Sequence, residues 1–154
     1  MKKGLTLVEI LISMLILSFI MAGIFAILNI GNSTWNRDMA LLELQQNTRL
    51  ALSGMISEIR QANVLPAAGT SITFTMPSDI AVNPIIYRRD AATNRIIREH
   101  PAGVTKIIAN NIYSLNFTPI GTKVIKIDII ARKTIGSNVI DFPMSEQVKL
   151  RNVN

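Results

Sequence analysis

Nineteen consecutive residues, Ile10 to Leu28, carry no charge, and 19 of the 24 residues from Leu5 to Leu28 are hydrophobic. At ~1.5 Å rise per residue, 24 residues make a helix of about 36 Å, enough to cross a bilayer core with some tilt. Asn29-Ile30-Gly31-Asn32-Ser33-Thr34 ends the apolar run, and Trp35 follows where an interfacial aromatic belongs. Beyond it the pattern changes. Leu41, Leu44, Thr48, Leu52, Met55 and Ile59 recur at helical spacing, with Glu43, Gln45, Arg49 and Glu58 largely off that line. This predicts an amphipathic helix with one core-facing stripe, stopped by Pro66 and Ala67-Ala68-Gly69. The simplest construction joins both halves into one helix of up to about 60 residues, with Gly23, Gly31 and Gly54 as bend points.

From residue 70 the period shortens to two. Ile72, Phe74 and Met76 alternate with Thr73 and Thr75. Tyr113, Leu115 and Phe117 alternate with Ser114 and Asn116; Ile125, Ile127 and Ile129 alternate with Lys126 and Asp128. These are predicted antiparallel strands with one face buried. Asp90-Ala91-Ala92-Thr93-Asn94 separates two such runs as a hairpin loop, and Gly121-Thr122 marks another turn.

Composition removes several chemistries. The chain has no cysteine, so disulfides, thiolate zinc sites and cysteine nucleophiles are absent. Its single histidine, His100, rules out a multi-histidine metal site and reads as a loop or strand-end residue beside Pro101. Asp79, Asp90, Asp128 and Asp141 are too scattered for a calcium loop, which gathers several oxygen ligands within a few residues. No phosphate loop, nucleophile elbow or paired acid and base is visible, and neither metal nor cofactor is expected. The net charge is +6, of which Lys2 and Lys3 supply two charges at the N-terminus.

Those two lysines open the most specific string in the chain: Lys2-Lys3-Gly4-Leu5-Thr6-Leu7-Val8-Glu9, followed at once by the apolar run. It resembles the class III leader and mature N-terminus of type IV pilins and pseudopilins. Leu5 stands where Phe or Met is commoner. The resemblance implies a fold, pilin-like α+β, in which a long N-terminal helix packs on an antiparallel sheet. It also implies processing: a prepilin peptidase cuts between Gly4 and Leu5 and methylates the Leu5 amine. The chain then divides into a leader (1–4), a transmembrane and filament-core helix (5–28), the amphipathic half of that helix (29–65) and a β-rich head (66–154). The implied partners are other pilins or pseudopilins, the peptidase, the assembly platform with its ATPase, and the membrane.

Looser matches narrow the likeness to J-type pseudopilins and W-type minor pilins. They are the helix Leu44–Leu52 continuing to Ala62, the stretch Ile86-Tyr87-Arg88 with its basic hairpin, and the terminal Val148-Lys149-Leu150-Arg151-Asn152. The absence of proline from the apolar segment also favours a minor subunit. A major pilin or adhesin and a DNA-binding competence pilin are the alternatives, and an enzyme on a signal anchor is a remote one.

Two sets of side chains are candidates for function. Glu9 is the one charge in the apolar segment. A carboxylate there costs roughly 2.5–3.5 kcal/mol on insertion scales, and such groups usually have a partner and a role. The resemblance supplies both: the freed α-amine of a neighbouring subunit, paired with Glu9 during assembly. Arg88, Arg89, Arg95 and Arg98 cluster on one predicted hairpin beside Tyr87, with Lys106 following. They would suit DNA phosphates, but with one aromatic nearby the ordinary reading of solvating, edge-guarding charge is favoured.

Overall fold

The computed structural model describes residues 6–62, 69–76 and 84–151. The leader and cleavage point at Gly4 and Leu5, the stop at Pro66 and the aspartate at Asp79 lie outside the described residues. Eight elements follow in order: α1 (Leu7–Ile59), β1 (Ser71–Phe74), β2 (Ile85–Asp90), β3 (Arg95–Glu99), β4 (Thr105–Ala109), β5 (Ile112–Ile120), β6 (Val124–Ile135) and β7 (Asn138–Lys149). The arrangement is α+β and pilin-like, a long apolar N-terminal helix with antiparallel sheets packed on its later turns.

Helical hydrogen bonding runs unbroken through Gly23, Gly31 and Gly54. The helix ends at Ile59, short of the expected 65. Its last turn tightens: Gln61 N–H donates to the Glu58 carbonyl and Ala62 N–H to the Ile59 carbonyl, both three residues back, at 3.0 Å. The chain forms two compact units, Met1–Met39 and Ala40–Asn154.

In the first unit every described residue from Thr6 to Met39 is exposed, including the whole apolar run. The two serines within its apolar run are satisfied locally. Ser13 Oγ donates to the Glu9 carbonyl at 2.7 Å and Ser18 Oγ to the Met14 carbonyl at 2.8 Å. Such back-bonding leaves no hydroxyl in need of water, which is what hydrocarbon demands of a spanning helix.

The second unit is built on the predicted stripe. Ala40, Leu44, Thr48, Ala51, Leu52, Met55 and Ile59 are buried at three- and four-residue spacing, with Leu41 half-buried at the margin. They share one core with the inward residues of both sheets, among them Ile72, Phe74, Ile85, Tyr87, Ile96, Leu115, Phe117, Ile125, Ile127 and Ile129. The strands divide in two, a four-stranded sheet in the order β1-β2-β3-β4 and a three-stranded meander β5-β6-β7. A two-residue bridge joins them, Gly69 and Phe117 exchanging backbone hydrogen bonds at 2.9 and 2.8 Å. The β6–β7 hairpin turns on Gly136-Ser137, with Gly136 at φ 59°, the left-handed conformation that short hairpin turns require and glycine adopts without strain.

One predicted inward residue faces out. Tyr113 is 48% exposed and Ile112 fully buried, because a bulge in the β5–β6 register pairs Ile112 with Ala131 and Ser114 with Ile130, leaving Tyr113 as the extra residue. The alternation of Leu115 and Phe117 resumes beyond it. Tyr113 instead packs under Arg132, whose guanidinium carbon lies 3.5 Å from the ring centroid while its Nε and Nη2 reach Asp141 at 2.6 and 2.7 Å.

Candidate functional site

The first turn of α1 is closed by a reciprocal pair. Thr6 N–H donates to Glu9 Oε2 at 2.8 Å, the Thr6 hydroxyl donates to the same oxygen at 3.0 Å, and Glu9 N–H approaches Thr6 Oγ1 at 3.3 Å. This is a capping box: a threonine before the first turn and a glutamate three residues on satisfy each other's free backbone donors. The spacing Thr6-x-x-Glu9 is visible in the sequence, but the sequence reading assigned Glu9 to assembly alone. Glu9 also sits in the first turn, where the helix dipole favours an anion. The carboxylate is therefore held at the helix entrance, four residues beyond Leu5, the residue whose amine processing would free.

From Leu7 onward the apolar segment presents large side chains on all sides. Leu7 is 74% exposed, Phe19 72% and Ile27 71%. An unpartnered apolar surface around a whole helix is stable only in lipid or against other helices. The segment can cross a membrane by length and composition.

The four arginines of the β2–β3 hairpin do not form one patch. Tyr87 pairs with Arg98 and Arg89 with Ile96, putting these four on the sheet's inner face; Arg88 pairs with Ile97 and Asp90 with Arg95 on the other. Arg98 Nε donates to both oxygens of Glu58 on α1, at 2.9 and 3.1 Å. Tyr87 Oη donates to the same carboxylate at 2.9 Å, and burial, then the Glu58 charge, pushes its phenol pKa well above the ordinary tyrosine value. Arg89 donates to the Ile112 carbonyl at 2.8 Å and to Asn94 Oδ1 at 2.6 Å. Arg98 and Arg89 thus fasten the hairpin to the rest of the head. Arg88 and Arg95 remain exposed.

The aspartates have separate local duties. Asp90 receives Ala92 N–H at 3.1 Å and the Thr93 hydroxyl at 2.5 Å, closing the hairpin turn, and these bonds, Thr93's first, hold its carboxyl below the usual range. Asp128 pairs with Lys126 at 2.8 Å and Asp141 with Arg132. His100 is half-buried just after β3, its N–H donating to the Val104 carbonyl at 3.0 Å.

Residues 1–25 match the family model for the prokaryotic N-terminal methylation motif. Neither the curated proteins nor the solved structures contain a match to the chain. The matched segment takes in the basic leader, the Thr6–Glu9 cap and most of the exposed apolar helix. Residues 1–25 thus carry a prokaryotic N-terminal methylation motif, a class III leader of the type IV pilin-like kind, and it runs into an apolar helix long enough to cross a membrane.

Proposed function

We propose that the chain is a minor pilin or pseudopilin. A prepilin peptidase cleaves it between Gly4 and Leu5 and methylates the Leu5 amine, and the subunit then enters a type IV pilus, a secretion pseudopilus or a competence pilus through its N-terminal helix. The observation that carries this reading is the methylation motif running directly into a helix whose apolar surface is unpartnered on every side. Lys2 and Lys3 set the N-terminus in the cytoplasm by the positive-inside rule, leaving the head across the membrane. The subunit waits in lipid, and an assembly platform driven by its ATPase moves it into a bundle of like helices. The similarity of the head to the J- and W-type subunits favours a place in the tip complex that primes assembly.

Glu9 is the assembly residue in this scheme. Cleavage frees an α-amine of ordinary pKa about 7.7–8.0, a cation near the membrane boundary. A neighbouring subunit's amine within reach of Glu9 makes an ion pair in low dielectric, where loss of one partner typically costs about 3–5 kcal/mol. A pair of that strength fixes the axial register of one helix against the next.

Intact mass of the membrane-extracted protein tests the reading directly. Loss of residues 1–4 with gain of one methyl group is the expected result. Retention of Met1 or Lys2 in cells that process other prepilins overturns it.

A further inference from the structure

We propose that the pocket where β5 begins binds an uncharged sugar unit, with Tyr113 as its apolar wall and the Asn111 amide as its hydrogen-bonding partner. The pocket holds about 420 Å³ between the β2–β3 turn, the start of β5 and the later part of β6, within the range of small-ligand sites. Tyr113 lines it because of the bulge in β5: the extra residue turns outward, the re-aiming of a side chain that bulges provide. Arg132 covers one face of the ring, yet nearly half of the Tyr113 side chain stays open. Asp141 in turn holds Arg132 with two hydrogen bonds, so the wall is fixed before any ligand arrives.

The turns beside it differ from the others in the head. Gly103, Gly121 and Gly136 supply left-handed positions with the residue that takes them most cheaply. Among the described residues, the non-glycine positions with positive φ are Asn94 at 52° and Asn111 at 61°, and both line this pocket. Their backbones are pinned: Ile112 N–H donates to the Asn94 carbonyl at 2.8 Å and Arg132 N–H to the Asn111 carbonyl at 2.7 Å. Asn94 Oδ1 already accepts from Arg89. The Asn111 amide makes no hydrogen bond among the described residues, and glycine would serve the turn without it. Two residues along β6 from Arg132, Thr134 turns its own N–H and C=O to the same side, past the end of β5, where no strand pairs with them.

Charge narrows the occupant. The two cations in the lining are each neutralised within the head, Arg132 by Asp141 and Lys133 by Glu43. An anionic ligand would have to compete with one of those carboxylates. What stays available is an aromatic surface, an amide, a threonine hydroxyl and one backbone N–H and C=O, a mixed set of donors and acceptors. A sugar matches it, because its hydroxyls both donate and accept and the C–H face of its ring is apolar. The proposal concerns the head alone and does not depend on processing of the leader.

The test uses the full chain in a detergent without a sugar headgroup and a panel of neutral trisaccharides built from glucose, galactose, mannose or N-acetylglucosamine, followed by saturation-transfer NMR. The expected result is saturable binding of at least one of them with Kd below about 1 mM. Tyr113→Ala should weaken it by about 10-fold or more, and Tyr113→Phe, which keeps the ring, should bind nearly as wild type. Asn111→Gly keeps the left-handed turn without strain. Its thermal midpoint should therefore stay near that of the wild type while binding weakens several-fold. Silence from the whole panel up to about 10 mM overturns the proposal, as does binding that Tyr113→Ala and Asn111→Gly both leave unchanged. A uronate trisaccharide that binds more tightly than its neutral parent overturns it too, by showing that Arg132 or Lys133 is open to an anion.

Discussion

Thr6 and Glu9 hold each other in both directions, the threonine N–H and hydroxyl on the carboxylate and the glutamate N–H on the hydroxyl. Glu9 therefore has a duty within its own chain besides the intersubunit pairing proposed for it. The two are separable by substitution. Glutamine serves at this position of a capping box, so Glu9→Gln keeps the cap and removes the charge. If pairing with the α-amine drives assembly, Glu9→Gln should abolish incorporation as completely as Glu9→Ala. Thr6→Val, which costs the cap about 1 kcal/mol, should leave incorporation near normal. Filament yield and membrane-extracted subunit, measured side by side, decide it; normal assembly of Glu9→Gln would reduce Glu9 to a cap.

Glu58 is the single acceptor for both Tyr87 and Arg98, joining α1 to two adjacent strands. Its replacement by Ala strips a partly buried guanidinium and a phenol of their partner together. The head should lose about 2–3 kcal/mol, the range for hydrogen bonds to charged groups. Urea unfolding measures it, with the double variant Glu58→Ala/Arg98→Leu expected to recover part of the loss because it removes the stranded cation.

Tyr87 also gives the fold an alkaline limit. Its phenol pKa is raised in the folded state by burial and by the Glu58 charge, while in the unfolded chain it is near 10. The neutral phenol is the form the fold prefers. Its contribution is fully present below pH about 10 and is lost as pH rises from there through the higher folded value. Stability of the wild type should therefore fall more steeply above pH 10 than that of Tyr87→Phe, which should be the less stable of the two at neutral pH. Parallel slopes for the two proteins would contradict the assignment.

Thr48 is completely buried in the core stripe, and its hydroxyl has no hydrogen-bond partner among the described residues. A buried hydroxyl without a partner costs about 1–3 kcal/mol. Valine has the same shape without the oxygen. Thr48→Val should raise the thermal midpoint of the head, the gain being about 1 kcal/mol, since the two residues have nearly equal helix propensity.

The division of the hairpin arginines limits any role in binding DNA. Of the hairpin arginines, Arg88 and Arg95 face outward with no hydrogen bond among the described residues, and each phosphate neutralised contributes about −0.9 to the slope of log K against log salt. DNA binding by this surface should show a slope no steeper than about −2, and Arg88→Ala/Arg95→Ala should abolish it. A steeper slope that survives the double substitution would place the contact elsewhere on the chain.

Local pattern carried the sequence reading far where local physics decides. The stripe from Leu44 to Ile59, the strand alternation around Ile125–Ile129 and the loop between Asp90 and Arg95 all stand as their periodicity predicts. The leader string was legible because the methylation motif is a matter of consecutive residues and needs no fold to be recognised. Long-range partners were not legible. Arg98 is 40 residues from Glu58, and no spacing rule links a helix carboxylate to a strand guanidinium across that distance. The bulge at Tyr113 escaped for a different reason, since one extra residue in a strand leaves the alternation on either side intact. The Thr6–Glu9 cap was overlooked because the same two residues also belong to the processing motif.

The hydroxyls of Ser13 and Ser18, each bonded to its own helix backbone, have a mechanical consequence. A subunit drawn out of lipid into a bundle of neighbours exchanges one apolar environment for another, and no hydrogen bond along that stretch need break on the way. In the assembly proposed above, the path would be smooth for Ile10 through Leu28, and the resistance met there would be viscous drag and lipid displacement. The stop would belong to the carboxylate at the rod's end, halting the slide where it finds a counter-charge.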